Sequence, residues 1–455
     1  MLNKHFIRFM IVAGFILMPA ILSAQEFNIA VGRDSTFGGG AVFGGSAGIV
    51  AIIGDTLSQY NITAQLVSPP TNLIGNRISI GRTGVFLGAQ VAFDGTNYLM
   101  VWAENNGDVN GQFISQSGNL VGTYFTIGTN ASLDNPGLFG LLFSDTTYLV
   151  GYVKVDTCLY GQRVNRSGNL IGGQIQISNN HVRSISGAYD GTNYLVAWVD
   201  DVSGQDHDFY GQFVNKTGTL VGGNFLIDGS SNTTENGLSL AFGGTRYLLV
   251  YPDENPNSGA KNLLGRFIST TGTIEGTIVI CDTTKSPNMP SVAFDNTNYL
   301  ITWAQFTNFS LMGRFYNPLG VPLDTPFVLF DSLNGRLPIG GCGFGGGWFL
   351  VVGSRINFNF TDGDVYGRFI HQTGIEEENA QKPGDVIRLQ NHPNPFNSFT
   401  TVPGFEEVNF ELYDASGRMA GTYKGNRIGA DLTPGVYFAR RLNSSSAPLR
   451  IVKVR

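Results

Sequence analysis

Apolar and polar residues alternate in short runs along most of the chain, and the runs return at a near-constant spacing. Val91-Ala-Phe-Asp-Gly-Thr-Asn-Tyr-Leu-Met-Val-Trp102 is matched by Gly187-Ala-Tyr-Asp-Gly-Thr-Asn-Tyr-Leu-Val-Ala-Trp198. A third copy is Val292-Ala-Phe-Asp-Asn-Thr-Asn-Tyr-Leu-Ile-Thr-Trp303. Weaker copies stand at Leu141–Tyr152, Leu240–Tyr251 and Cys342–Gly353, and a degenerate one begins at Ala41. The repeated tyrosine position falls at Gly48, Tyr98, Tyr148, Tyr194, Tyr247, Tyr299 and Phe349, so the period runs from 46 to 53 residues. Each copy has a second half such as Gly111-Gln-Phe-Ile-Ser-Gln-Ser-Gly-Asn-Leu-Val-Gly122, followed by a run like Tyr124-Phe-Thr-Ile127.

Period-two alternation predicts strands. Asp94-Gly95 and Asp190-Gly191 mark tight hairpins, because both residue types tolerate positive φ. Ser117-Gly118-Asn119 marks a second turn. The unit therefore reads as four antiparallel strands. Seven such units predict an all-β chain, a seven-bladed β-propeller over residues 25–378. A sandwich array would need units nearer 100 residues. The last copy lacks a fourth strand and meets Glu376-Glu-Glu378 instead. Glu26-Phe-Asn-Ile-Ala-Val31 resembles the missing strand and is expected to close the ring from the N-terminus.

Composition agrees with this picture. Charged residues are 14% and aromatics 12% of the chain, which excludes a mainly disordered one. Residues 1–24 read as a secretory signal, with Lys4 and Arg8 before an apolar run from Phe9 to Leu22 that is too short to span a bilayer. Removing it takes the formal charge from −6 to −8, which argues against a nucleic-acid partner. Cys158, Cys281 and Cys342 match no metal motif, and a Cys281–Cys342 bridge stays open.

Length varies between the second and third strands and between units, whereas the other two turns are nearly constant. Variable loops on one face of a repeat protein are the usual binding surface. These loops carry Glu104, Asp108, Asp201, Asp206, Asp208, Asp253, Asp362 and Asp364, our candidate ligand-binding residues. Two readings stand for them: a calcium or polar-ligand site, since hard cations take clustered carboxylates, and a solvated rim of turn-forming acids. No other cofactor or metal is expected. Trp102, Trp198 and Trp303 share one repeat position, suited either to stacking on sugars or to packing between units. No catalytic residues are assigned. Gly44-Gly-Ser-Ala-Gly48 matches a nucleophile motif only in letters, because it lies in a β-turn and not on a strand-to-helix elbow.

After a linker at 379–387 the repeat is gone. Residues 388–455 read as a small β-sandwich with a basic excess, and they contain Pro393-Asn-Pro395, Asn397, Leu412-Tyr-Asp-x-x-Gly417-Arg418, Gly435-Val-Tyr437 and Lys453. In combination these resemble the C-terminal sorting domain (type A) of the type IX secretion system. The repeat copies likewise look like a propeller repeat of secreted bacterial proteins. The sorting resemblance implies Sec export to the periplasm of a Gram-negative bacterium and passage across the outer membrane, with the secretion machinery as partner and Pro393, Asn394, Pro395, Asn397, Gly417, Arg418, Gly435, Tyr437 and Lys453 as the signal. The expected function is a secreted or cell-surface binding module for a polysaccharide or protein. The alternative is a glycan-acting hydrolase or lyase on the same fold.

Overall fold

The computed structural model describes residues 21–23, 25–30, 36–44, 47–56, 59–83, 85–132, 139–179, 182–200, 208–229, 237–254, 261–331, 337–356 and 363–372. In the C-terminal part it describes 398, 400, 402, 409–414, 418–424, 427–429, 431–441 and 449–454. The chain divides into two compact units, Ile21–Gln372 and a C-terminal one. Among the described residues every element but one single-turn 3-10 helix is a strand.

Among the described residues the larger unit holds seven antiparallel sheets, built in chain order from four-strand repeats. The second sheet is typical: Val85–Phe93, Asn97–Glu104, Val109–Ser115 and Leu120–Gly128, each hydrogen-bonded to the one before it. The first strand of each sheet packs on the first strand of the next, and Leu337–Gly345 of the seventh packs on Thr36–Gly44 of the first. Between sheets 4 and 7 a serine joins these strands. The Oγ atoms of Ser186, Ser239 and Ser291 accept the backbone N–H of Leu240, Val292 and Cys342 at 3.0, 3.0 and 3.1 Å.

The seventh sheet draws on the N-terminus. Phe27–Ala30 pairs with Val365–Gly367, with Phe27 opposite Gly367 as Phe125 lies opposite Gly111 in the second sheet. Phe27 also stacks on Phe369 at 5.6 Å, as Phe125 stacks on Phe113 at 5.8 Å. A buried Arg355 holds this strand: its Nη2 donates to Glu26 Oε2 at 2.8 Å, its Nη1 to Oε1, and its Nε to the Asp331 carbonyl at 2.8 Å. Ile21–Ser23, inside the stretch assigned to a leader, pairs onward with Ile370–Gln372. Residues 1–20 lie outside the described ones.

The near-invariant turns are explained by contacts between units. Asp94 Oδ1 accepts the N–H groups of Thr96 and Asn97 at 2.8 and 2.7 Å, and Asp190 and Asp295 repeat the arrangement. The repeated tyrosine then reaches back to the turn of the preceding sheet. Tyr98 donates to the carbonyls of Gly44 and Ala47, and Tyr194 to that of Thr147. Tyr148 is turned toward the Asp94 carboxylate; burial first, and that carboxylate second, push its pKa above the normal tyrosine range.

The Gly-Gln pair in the third strand has a different purpose. Gln112 Nε2 donates to the carbonyls of Phe113 and Val121 (2.9 and 3.1 Å), across a bulge at Gly122. Gly122 has φ 68°, which favours glycine. Gln162 and Gln212 clamp their outer strands in the same way, while Arg266, Arg314 and Arg368 take that place in sheets 5 to 7.

In the C-terminal unit four strands form one sheet in the order Met419–Lys424, Asn409–Asp414, Gly435–Arg441, Leu449–Lys453. The sequence predicts a sandwich. The described residues show this single sheet, with Val402 and Ile428 packed on Phe410, Leu412 and Ile451, and a bridge between Thr400 and Ile428.

Candidate functional site

The hairpin joining the second and third strands is where the larger unit departs from its own repeat. The residue two places after the Trp/Tyr position is Glu104, Lys154, Asp200, Asp253, Gln305 or Arg355 in sheets 2 to 7. All lie within one residue of the end of a second strand, and all but Glu104 and Lys154 are paired across a ladder to the third strand: Asp200 to Asp208, Asp253 to Asn262, Gln305 to Ser310 and Arg355 to Asp364. The Glu104 N–H donates to the Asp108 carbonyl at 2.9 Å, and that of Lys154 to the Cys158 carbonyl at 3.1 Å. The connections between sheets meet these hairpins. Ala131 N donates to the Gly107 carbonyl and Val155 N to the Asn130 carbonyl, so the two variable loop sets share one end of the sheets.

Five of the eight candidate residues therefore occupy one structural position and its partner, one or two per sheet. They are Glu104, Asp108, Asp208, Asp253 and Asp364, and the structure does not gather them into one cluster. Among the described residues no group of three His, Cys, Asp or Glu side chains is disposed to hold a metal. Asp201, Asp206 and Asp362 lie outside the described residues. Glu104 is buried, with Trp102 Nε1 donating to its Oε1 at 3.4 Å, and the Asn106 amide donates to Asp108 Oδ2 at 2.8 Å.

Lys154, Gln305 and Arg355 are polar members of this position that a search for acids passes over; laying the copies on the tryptophan register reveals them. Lys154 lies 4.1 Å from the centre of the Tyr160 ring and donates to Gln174 Oε1 at 2.7 Å. Tyr160 in turn donates to Asp156 Oδ2 at 3.1 Å.

The tryptophans are no sugar platform. Trp102, Trp198 and Trp303 are 0, 0 and 1% exposed and belong to packed cores. Tyr251, at the same position, donates to Asp228 of the preceding sheet, and Arg266 Nη2 donates to the same carboxylate at 2.8 Å. This partly buried triad ties sheets 4 and 5. All three cysteines are free thiols, and burial pushes those of Cys281 and Cys342 up to about 11.

The C-terminal unit carries a groove of about 620 Å³. Asp414, Arg418, Met419, Ala420 and Tyr423 line it from one hairpin, and Asp431 through Tyr437 from the next segment. Tyr423 donates to Asp431 Oδ1 at 2.7 Å, and Tyr437 to the Thr433 carbonyl at 2.9 Å. Of the residues that carry the sorting resemblance, Arg418, Gly435 and Tyr437 lie in this groove. Lys453 does not: it is 7% exposed, and its Nζ donates to the carbonyls of Ser398 and Gly429. Pro393, Asn394, Pro395, Asn397 and Gly417 lie outside the described residues.

No protein-family model and no curated protein matches the chain. Solved structures similar to it include the β-propeller domain of the Trilobed protease from Pyrococcus furiosus, at 11% identity over 74% of this chain and 96% of that one, with a TM-score of 0.45. The phage phi92 endosialidase is similar at 8% identity over 96% and 87%, with a TM-score of 0.47. The SapL1 lectin in complex with alpha methyl fucoside is similar at 13% identity over 60% and 94%, with a TM-score of 0.39. The functional reading rests on the chain's own sheets.

Proposed function

We propose that the protein is a secreted or cell-surface seven-bladed β-propeller, closed by its N-terminal strand, that binds an extracellular polysaccharide or protein without chemistry. Residues 388–455 act as a type IX sorting domain. One observation carries the binding reading. The repeat is held nearly constant at two turns and at its packed aromatics, while the hairpins between the second and third strands, which share one end of the sheets with the connections between sheets, change in length and in polar residues from copy to copy. Loops that vary at one end of a constant scaffold are the usual recognition surface of a repeat protein. The acidic balance of the body favours a neutral glycan or a basic protein surface over a polyanion.

The test is a glycan array and a panel of basic and acidic proteins, probed with residues 25–455 with and without calcium. Saturable binding that weakens in Asp108→Asn and Asp253→Asn supports the reading. Retention of full affinity in both, or cleavage of an arrayed glycan, overturns it.

A further inference from the structure

We propose that the groove of the C-terminal unit is a docking site for an extended peptide segment, carrying a Lys or Arg, from a partner protein. The inference rests on reading residues 388–455 as a sorting module and names the surface by which that module is recognised. Three observations support it. The described residues of two motifs that carry the sorting resemblance, Asp414 and Arg418 of one and Gly435, Val436 and Tyr437 of the other, are remote in sequence yet line one concavity. Side chains that appear in sequence as scattered signals thus converge on a surface.

The chemistry of that surface is mixed in a particular way. Met419 is 51% exposed, and Leu432, Pro434 and the Tyr423 and Tyr437 rings add apolar wall. Two carboxylates, Asp414 and Asp431, stand among them. Arg418 Nε approaches Asp414 Oδ2 at 3.4 Å, but its side chain is 86% exposed, so this pair is a weak surface one that a guest cation can replace. The unit as a whole is basic, and the groove is its acidic exception. A guest cation next to apolar contacts fits a basic side chain on an extended segment.

The geometry of the lining strand also fits. Met419–Lys424 is the outermost of the four strands, paired only with Asn409–Asp414 among the described residues. Met419, Ala420 and Tyr423 line the groove, whereas Thr422 does not.

The probe is a dye-labelled peptide, Ac-Val-Lys-Val-Lys-Val-NH2, with the Glu-for-Lys peptide as control, titrated against residues 25–455 by fluorescence anisotropy. The Lys peptide should bind saturably, and the Glu peptide at least about ten-fold more weakly. Ala420→Arg, which fills the groove from an exposed position, and Asp431→Asn, which keeps an acceptor for Tyr423, should each weaken Lys-peptide binding about ten-fold. Thr422→Arg, on the same strand outside the groove, should bind like wild type, and thermal unfolding should be unchanged in all three. Equal binding of the two peptides, no saturation up to about 1 mM, or full binding by Ala420→Arg overturns the inference. Export is scored separately in a host with the type IX machinery. If the chain lacking 388–455 is still exported, the sorting reading falls whatever the peptides do. If that deletion blocks export but Ala420→Arg is exported normally, the groove inference falls alone.

Discussion

Asp324 gives the sharpest energetic prediction. It lies between the third and fourth strands of the sixth sheet, where its Oδ1 accepts the Phe315 N–H at 3.1 Å and its carbonyl accepts Arg314 Nε at 2.8 Å. The carboxyl thus stands in for a rung of the strand ladder, while Oδ2 is buried with no hydrogen bond. Burial pushes its pKa up to about 6 from 3.8, against the opposing pull of the Phe315 N–H and of Arg314. A shift of about two units corresponds to roughly 3 kcal/mol. The residue is only partly shielded from water, so we take about 1–2 kcal/mol. The sign follows from linkage. Between about pH 4 and 6 the folded chain keeps a proton that the unfolded chain has released, so this group makes stability fall as pH rises through that window. Asp324→Asn keeps the acceptor for Phe315 and cannot ionise. Its new N–H group costs the same at every pH, so the diagnostic quantity is the change with pH of the difference between variant and wild type. Urea unfolding at pH 4, 5, 6, 7 and 8 should show the variant gaining about 1–2 kcal/mol on wild type between pH 4 and 7, with equal m-values. A difference that stays flat with pH, or moves the other way, refutes the argument.

Other predictions follow from single contacts. Gly151→Ala should raise stability by about 1 kcal/mol in thermal unfolding: an added Cβ meets Ile185 Cδ1 at 3.5 Å in a small apolar void between the third and fourth sheets. Gln112→Ala should cost about 1–2 kcal/mol by stranding the carbonyls it holds, whereas Gln112→Arg should cost less, since Arg266 and Arg314 fill the equivalent position. Glu26→Ala should speed amide exchange of Phe27–Ala30 by about ten-fold or more through loss of the buried Arg355 contact, leaving Tyr194–Val199 unchanged by mass spectrometry.

The strands, their order within each unit and the turns were legible because each is written in local alternation and in Asp-Gly or Ser-Gly pairs. What Asp94 and Tyr98 do was not, since their partners lie in neighbouring copies and no pattern inside one copy names them. The Arg355–Glu26 contact spans 329 residues and leaves no local trace. The acidic loop residues are legible by type, but their spacing in the fold is not. The ladder register deals them out one hairpin at a time, and it is the varying position after the tryptophan, with Lys154, Gln305 and Arg355, that the structure brings forward.

The bulge at Gly122 bears on the life of the folded chain in solution. The outermost strand of each sheet is nearly uncharged and shows apolar side chains to water, Leu120 at 44% and Val121 at 40% exposed in the second sheet. Such an edge is a template for another chain's strand. With a bulge interrupting the ladder, fastened in the first four sheets by Gln65, Gln112, Gln162 and Gln212, a visiting strand finds only short stretches in register. The same glycine that fits the turn is thereby a barrier to edge-to-edge aggregation, repeated along a molecule that carries little charge to keep copies apart.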